Sequence, residues 1–167
     1  RHGGFLRGAE LADNRWFGVS PSEAAAVDPQ QRLLLERGYE ALHRAGLDRA
    51  ALSGGLTGVF VGAGAHDFEG IAHASSALSR NVYSATGSST SVLSGRLSFV
   101  LGMHGACAAY DTACSAALVA NHAAGRALQG RECGDALVVG VSLMLLPGVG
   151  ISFAGAGMTS PHGACHT

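Results

Sequence analysis

Among the side chains able to do covalent chemistry in this sequence, Cys114 has the most informative surroundings: Asp111-Thr112-Ala113-Cys114-Ser115-Ala116-Ala117. Residues 106–111 before it read as a short buried strand. Residues 115–129 after it read as a helix with Leu118, Asn121, His122, Gly125 and Leu128 on one side. A thiol at a strand-to-helix junction lies on a sharp turn at the C-terminal edge of a sheet, where open α/β sheets bind ligands. The helix that follows directs unpaired N–H groups and a positive partial charge toward the sulfur, which favours the nucleophilic thiolate. The same N–H groups can receive the oxyanion formed when a thioester carbonyl is attacked. Ala113, Ser115, Ala116 and Ala117 are small, so an acyl chain can approach closely. Position alone leaves two readings open, a nucleophile or a buried cysteine acting as a small hydrophobe.

Other reactive groups offer less. Gly62-Ala63-Gly64 follows a strand as a dinucleotide-binding loop would, but the third glycine would fall at position 67, which is Asp67, so a plain turn is expected. His162, Cys165 and His166 have ligand chemistry without a fourth partner at suitable spacing, and an ordinary loop is expected. His122 lies two helical turns beyond Cys114, roughly 12 Å at 1.5 Å rise per residue, too far for a direct pair. It reads as a packed or dimer-facing histidine. Cys107, in the strand before the nucleophile, is expected in the core. The four cysteines form no CxxC pair and read as thiols of a reducing compartment, the cytoplasm or an organellar interior. Every basic side chain other than histidine is arginine, so a Schiff-base lysine and a P-loop lysine are excluded within these residues.

The elements that position Cys114 follow from patterning. Hydrophobic residues make up 47% of the chain and charged residues 14%, well below the ~25% charge usual in soluble domains, so much of the chain is expected to be buried. No run approaches the ~20 apolar residues of a membrane span. A net charge of −1 gives no electrostatic reason to expect nucleic acid. Ser20-Pro21-Ser22-Glu23 fits a capping box opening a short helix through Ala26. Asp28-Pro29-Gln30-Gln31 repeats the device for a helix to about Ala45, with Leu34, Ala41, Leu42 and Ala45 on one face and Gly46 as its C-cap. Residues 57–62 and 135–143 read as buried strands. Residues 62–81 read as a loop with a helix around 68–78. Ser88, Ser89 and Thr90 offer caps for a helix over 90–101, striped by Leu93, Leu97, Val100 and Leu101 and ended by Gly102. After Pro147 the chain reads as Gly-rich and irregular. Strands apolar along their whole length imply a parallel sheet covered on both faces, an α/β fold layered α-β-α. Two or three strands are few for a self-sufficient sheet, so the domain is expected to be incomplete.

The wider run closely resembles the β-ketoacyl synthase (ketosynthase) domains of modular type I polyketide synthases. The resemblance rests on Tyr83-Ser84-Ala85-Thr86-Gly87, Ser94-Gly95-Arg96-Leu97-Ser98, Asp111-Thr112-Ala113-Cys114-Ser115, Leu118-Val119-Ala120, Gly130-Arg131-Glu132-Cys133 and Ala136-Leu137-Val138. Upstream, Gly3-Gly4-Phe5-Leu6, Phe17-Gly18-Val19-Ser20-Pro21 and Asp28-Pro29-Gln30-Gln31-Arg32 belong to the same pattern. It implies a thiolase-like fold of two similar α/β halves, paired as a homodimer. Residues 1–167 would be the N-terminal part, without the first strand and the C-terminal half. It also implies that Cys114 is the catalytic residue. Cys114 would take an acyl group from the phosphopantetheine of an acyl carrier protein, for decarboxylative condensation with a malonyl-type extender in polyketide or fatty acid biosynthesis. No cofactor or metal is bound directly in that scheme. The two histidines and the lysine that support decarboxylation in the family have no counterpart here, so these residues alone are not expected to complete condensation. Thr86, Gly87 and Arg96 are expected to shape the fold and subunit contact.

The chain departs from the family pattern at Gly105-Ala106, at Ser115-Ala116-Ala117, and at His162, Ala164 and His166 near the end. Two other readings remain: a non-catalytic ketosynthase-like dimerisation module, and a thiolase-superfamily relative that condenses coenzyme A thioesters without a carrier protein. A cysteine at 114 favours catalysis over the first, and the Asp-Pro-Gln-Gln-Arg element favours the modular type over the second.

Overall fold

The computed structural model describes residues 3–164. In chain order the elements are α1 (Pro21–Ala26), α2 (Pro29–Arg44), α3 (Arg49–Leu52), β1 (Gly58–Gly64), α4 (Asp67–Ala74), α5 (Ser76–Ser79), α6 (Ser84–Gly87), α7 (Val92–Leu101), β2 (Cys107–Tyr110), α8 (Ala116–Gln129), β3 (Ala136–Ser142) and α9 (Pro147–Gly155). The strands form one parallel sheet in the order β2-β1-β3. Alternation along β1 divides the core. Val59, Val61 and Ala63 join Leu34, Leu35 and Leu42 of α2 and Leu93, Leu97 and Leu101 of α7 on one face. Phe60 joins Ala120, Ala124 and Ala127 of α8 on the other. The result is the expected α-β-α layering.

Local chemistry explains most boundaries. Ser20 accepts the Glu23 amide at 3.1 Å, which caps α1, with Pro21 in the first turn. Only half of the capping box forms, because the Glu23 carboxylate turns away to Arg96 at 2.5 Å. Asp28 caps α2 by accepting the Gln30 amide at 2.8 Å. Gln31 does not reach back to the cap either. It is almost fully buried, donates to Thr86 O and Gly87 O at 2.9 and 2.8 Å, and accepts Arg96 Nε at 2.6 Å. Thr86, Gly87 and Arg96 thus tie α6 and α7 to the start of α2. Helix α2 ends in a Schellman turn: Gly46 has φ 85°, its amide donates to His43 O, and the Leu47 amide donates to Leu42 O.

Several expectations need correction. On α2 the buried stripe runs through Leu34, Leu35, Gly38 and Leu42, whereas Ala41 and Ala45 are exposed. Helix α7 begins at Val92 behind Ser91, and neither Ser88, Ser89 nor Thr90 caps it. Ser88 Oγ bonds back to Ser84 O instead, and Ser89 and Ser91 pair with each other. The expected helix around 68–78 is broken at Ser75, whose hydroxyl caps the short α5. β2 is not fully buried. It is an edge strand, exposed at Cys107 and half-buried beyond it, so Cys107 is not a core residue. β3, the other edge, is only partly buried. Residues 147–155 are helical, with Pro147 in the first turn, where its missing N–H costs nothing.

Candidate active site

The strands end near one another, β2 at Tyr110 and β1 and β3 two paired residues further on, at Gly64 and Ser142. Gly62 of β1 pairs with Tyr110 of β2 and with Gly140 of β3. Directly above, α8 begins closer to the sheet than any side chain would permit. A Cβ on Gly62 would overlap the Ala117 nitrogen and lie 2.6 Å from the Ala116 carbonyl carbon, and one on Gly140 would lie 3.1 Å from Ala117 Cβ. The helix start at Ala116 and Ala117 therefore rests on strand backbone, where small residues fit.

The turn into α8 is held by its own side chains. Asp111 Oδ1 accepts the Ala113 amide at 3.2 Å. Ser115 Oγ donates to Thr112 O at 2.8 Å and meets Thr112 Oγ1 at 2.9 Å. Ala113 has φ 53°, a left-handed conformation costing a residue with a β-carbon on the order of 1 kcal/mol or more. Cys114 follows it. It is a free, exposed thiol, one residue before the N-cap Ser115, neither within a ladder strand nor sealed in apolar packing. Beyond it, the amides of Ala117 and Leu118 have no backbone acceptor among the described residues.

Cys114 opens on a cavity of about 630 Å³ bordered by the ends of β1 and β3 and by α9. Its walls are mainly apolar, with Val141, Met144, Val149, Phe153 and Met158 facing Ala113 and Cys114; among the described residues Asp111 is the only charged one in the lining. Two polar side chains fix the loops around it. Gln30 Nε2 donates to Ala65 O at 2.8 Å while its Oε1 accepts the Leu143 amide at 3.1 Å. Asp67 Oδ2 accepts the Leu145 and Leu146 amides at 2.9 and 3.0 Å. Gln30 is itself held by Asp28, whose carboxyl is pushed above the usual carboxylate range by burial, against the opposing pull of the Gln30 hydrogen bonds.

One contact joins the first loop to the nucleophile turn. His66 Nε2 lies 2.9 Å from Asp111 Oδ2. Asp111 is held below the usual carboxylate range, first by the His66 hydrogen bond and then by the Ala113 amide. Residue types and spacing point to Cys114 but assign no role to His66, Asp67, Gln30 or Asp111. An aspartate two residues before a positive-φ turn is a recognisable Asx-turn signal. Nothing in spacing would have paired it with His66.

The remaining candidates separate from the site. His122 is exposed on the outer side of α8, and Leu118, Asn121 and Leu128 share that exposure, so the side picked out by hydropathy is not the packed one. Gly62 and Gly64 belong to β1, not to a turn; the positive φ comes at Ala65. His162 lies in an exposed loop, and Cys165 and His166 fall outside the described residues. Among the described residues no group of three His, Cys, Asp or Glu side chains could hold a metal ion, and no helix is long and apolar enough to cross a membrane.

Comparison with known proteins bears on the family and the fold. A family model described as the N-terminal domain of beta-ketoacyl synthase matches residues 1–167. Polyketide synthase GfsB of Streptomyces halstedii is 46% identical over 99% of this chain, and the mycocerosic acid synthase-like polyketide synthase of Mycolicibacterium smegmatis is 44% identical over 98%. The chain spans only 3% and 8% of the length of those relatives. The ketosynthase from module 6 of the bacillaene synthase of Bacillus subtilis 168 superposes with a TM-score of 0.83 at 35% identity, over 97% of this chain and 27% of that one. The oxazolomycin ketosynthase domain of Streptomyces albus JA3453 superposes with a TM-score of 0.84 at 34% identity, over 95% and 28%. The thiolase-like α/β architecture is thus shared across the chain.

Proposed function

Because this chain belongs to the beta-ketoacyl synthase N-terminal domain family, we propose that it is the nucleophile-bearing part of a condensing enzyme of polyketide biosynthesis, with Cys114 as the acyl acceptor. The observation that carries the reading is the exposed Cys114 thiol between β2 and α8, at the mouth of an apolar cavity.

In this scheme the Cys114 thiolate attacks the carbonyl carbon of an acyl thioester on the phosphopantetheine arm of an acyl carrier protein. The carbonyl electron pair moves to oxygen. When it returns, the C–S bond to pantetheine breaks, and the carrier thiolate leaves and takes up a proton. The acyl group is now a thioester of Cys114. Its alkyl part fits the cavity walled by Val141, Met144 and Phe153, where burial of apolar surface favours it by about 25 cal/mol per Å². A malonyl-type extender then loses carbon dioxide, and the resulting carbanion attacks the Cys114 thioester. Thiolate is expelled, and a β-ketoacyl product remains on the carrier. Splitting one condensation into two transfers is the contribution of the nucleophile. The second transfer draws on histidine and lysine chemistry that has no counterpart in these residues. The carrier protein is thus the expected partner, and a second copy of the domain the expected subunit.

Intact-protein mass spectrometry after incubation with an acyl pantetheine thioester tests the assignment. One acyl mass is expected, lost in Cys114→Ala and kept in Cys107→Ala. Label retained in Cys114→Ala, or mapped to Cys107 or Cys133, would overturn it. With a malonyl carrier protein added, this chain is expected to release no β-ketoacyl product.

A further inference from the structure

Two turns at the C-terminal edge of the sheet each place an alanine in the left-handed region: Ala65 after β1, φ 58°, and Ala113 after β2, φ 53°. A single carboxylate bridges them. Asp111 uses Oδ1 for the Ala113 amide at 3.2 Å and Oδ2 for His66 Nε2 at 2.9 Å. The other ring nitrogen, His66 Nδ1, lies 3.4 Å from Thr90 Oγ1. A proton on Nε2 is donated to the carboxylate, and Nδ1 meets the Thr90 hydroxyl. Both members of the pair are roughly two-fifths exposed, so their contact adds little to global stability. Its effect is directional: the carboxylate cannot rotate away from the Ala113 amide without giving up His66.

We propose that His66 is a positioning residue for Cys114. By holding Asp111 it fixes the turn through Ala113, and that turn sets the direction of the Cys114 side chain. The inference rests on Cys114 being the acyl acceptor. It adds that residues of the β1–α4 turn take part in presenting the thiol.

The test uses the full chain and two readouts. One is the rate of acyl transfer to Cys114 from an acyl pantetheine thioester. The other is the ratio of iodoacetamide labelling at Cys114 to that at Cys107, an exposed thiol in the same molecule. His66→Ala is expected to slow acyl transfer about tenfold and to lower the labelling ratio, because misplacing a reacting atom costs rate well beyond the stability involved. His66→Gln keeps an N–H for Asp111 and is expected to stay within about twofold of the parent. Asp111→Asn is expected to match His66→Ala, and the double variant to be no slower than either single one, as for groups acting as one unit. The proposal is overturned if His66→Ala leaves both readouts unchanged, if His66→Gln falls as far as His66→Ala, or if the two single losses multiply. A variant that misfolds labels the buried Cys133; His66→Gln with Asp111→Asn then decides the matter. If the parent takes no acyl group, the reading of Cys114 as acceptor fails, while the labelling ratio still judges His66.

Discussion

On one face of the sheet, Val59, Val61 and Leu137 meet Leu34 of α2 and Leu97 of α7. On the other, Phe60 meets Ala120, Ala124 and Ala127 of α8. The first face is stabilised by interdigitated large side chains, each worth roughly 1.5–3 kcal/mol when buried. The second has one large side chain, Phe60, against three alanines, and lets a helix lie almost on the strands. Only the second arrangement could bring a helix start down to the strand ends and leave Cys114 at the opening. The bulky face supports the domain, and the alanine face shapes its chemistry.

Three substitutions sharpen or break that contrast, in falling order of effect. Gly62→Val introduces branching where even one Cβ overlaps the Ala117 backbone. Neither partner is a flexible side-chain end, so loss of a cooperative thermal transition is expected. A melt within a few degrees of the parent would show that α8 can lift off and that its closeness is not obligatory. Leu97→Ala, at a fully buried position of α7, should cost about 2–5 kcal/mol in urea unfolding. Acyl uptake by the remaining folded fraction should be unchanged, and a selective loss of uptake would erase the division of labour. Ala120→Val, fully buried in α8, adds volume instead of removing it and should cost about 1–3 kcal/mol. A neutral result would mean that the alanine face has slack.

The same contrast explains what could be read in advance. The parallel α/β layering, the α7 stripe and the Cys114 junction follow from residue types a few positions apart, whereas of the stripe expected on α2 only Leu34 and Leu42 are buried. Nor does the packed side of α8 follow from them. Hydropathy selects Leu118 and Leu128, yet both are exposed; the helix packs through Ala116, Ala120, Ala124 and Ala127, and at its start Gly62 and Gly140, neither of them local to the helix, accept only a small neighbour. Glycines at 148, 150 and 155 made α9 look irregular, and none of its residues is buried. Asp-Pro-Gln-Gln-Arg could be recognised, but its work could not. Gln30 reaches Ala65 and Leu143, Gln31 reaches Gly87, and Arg32 reaches Glu10 O, all long-range contacts. The His66–Asp111 pair is hidden for the same reason. Forty-five positions separate its members, and only the β1–β2 register brings them together.

Strand order also bears on how the chain is made. β1 lies between β2 and β3, and both of these flanking strands come later in the chain. At 5–20 residues per second, about 2 to 9 seconds separate completion of Gly64 from completion of Tyr110, and about 4 to 16 seconds separate it from completion of Ser142. Until Tyr110 is made, Val59, Phe60 and Val61 have neither of these two strands beside them, and until Ser142 is made they have only β2. A nascent chain in that state must be shielded by α2, already synthesised, or by a chaperone, and slow translation between these points would favour misassembly.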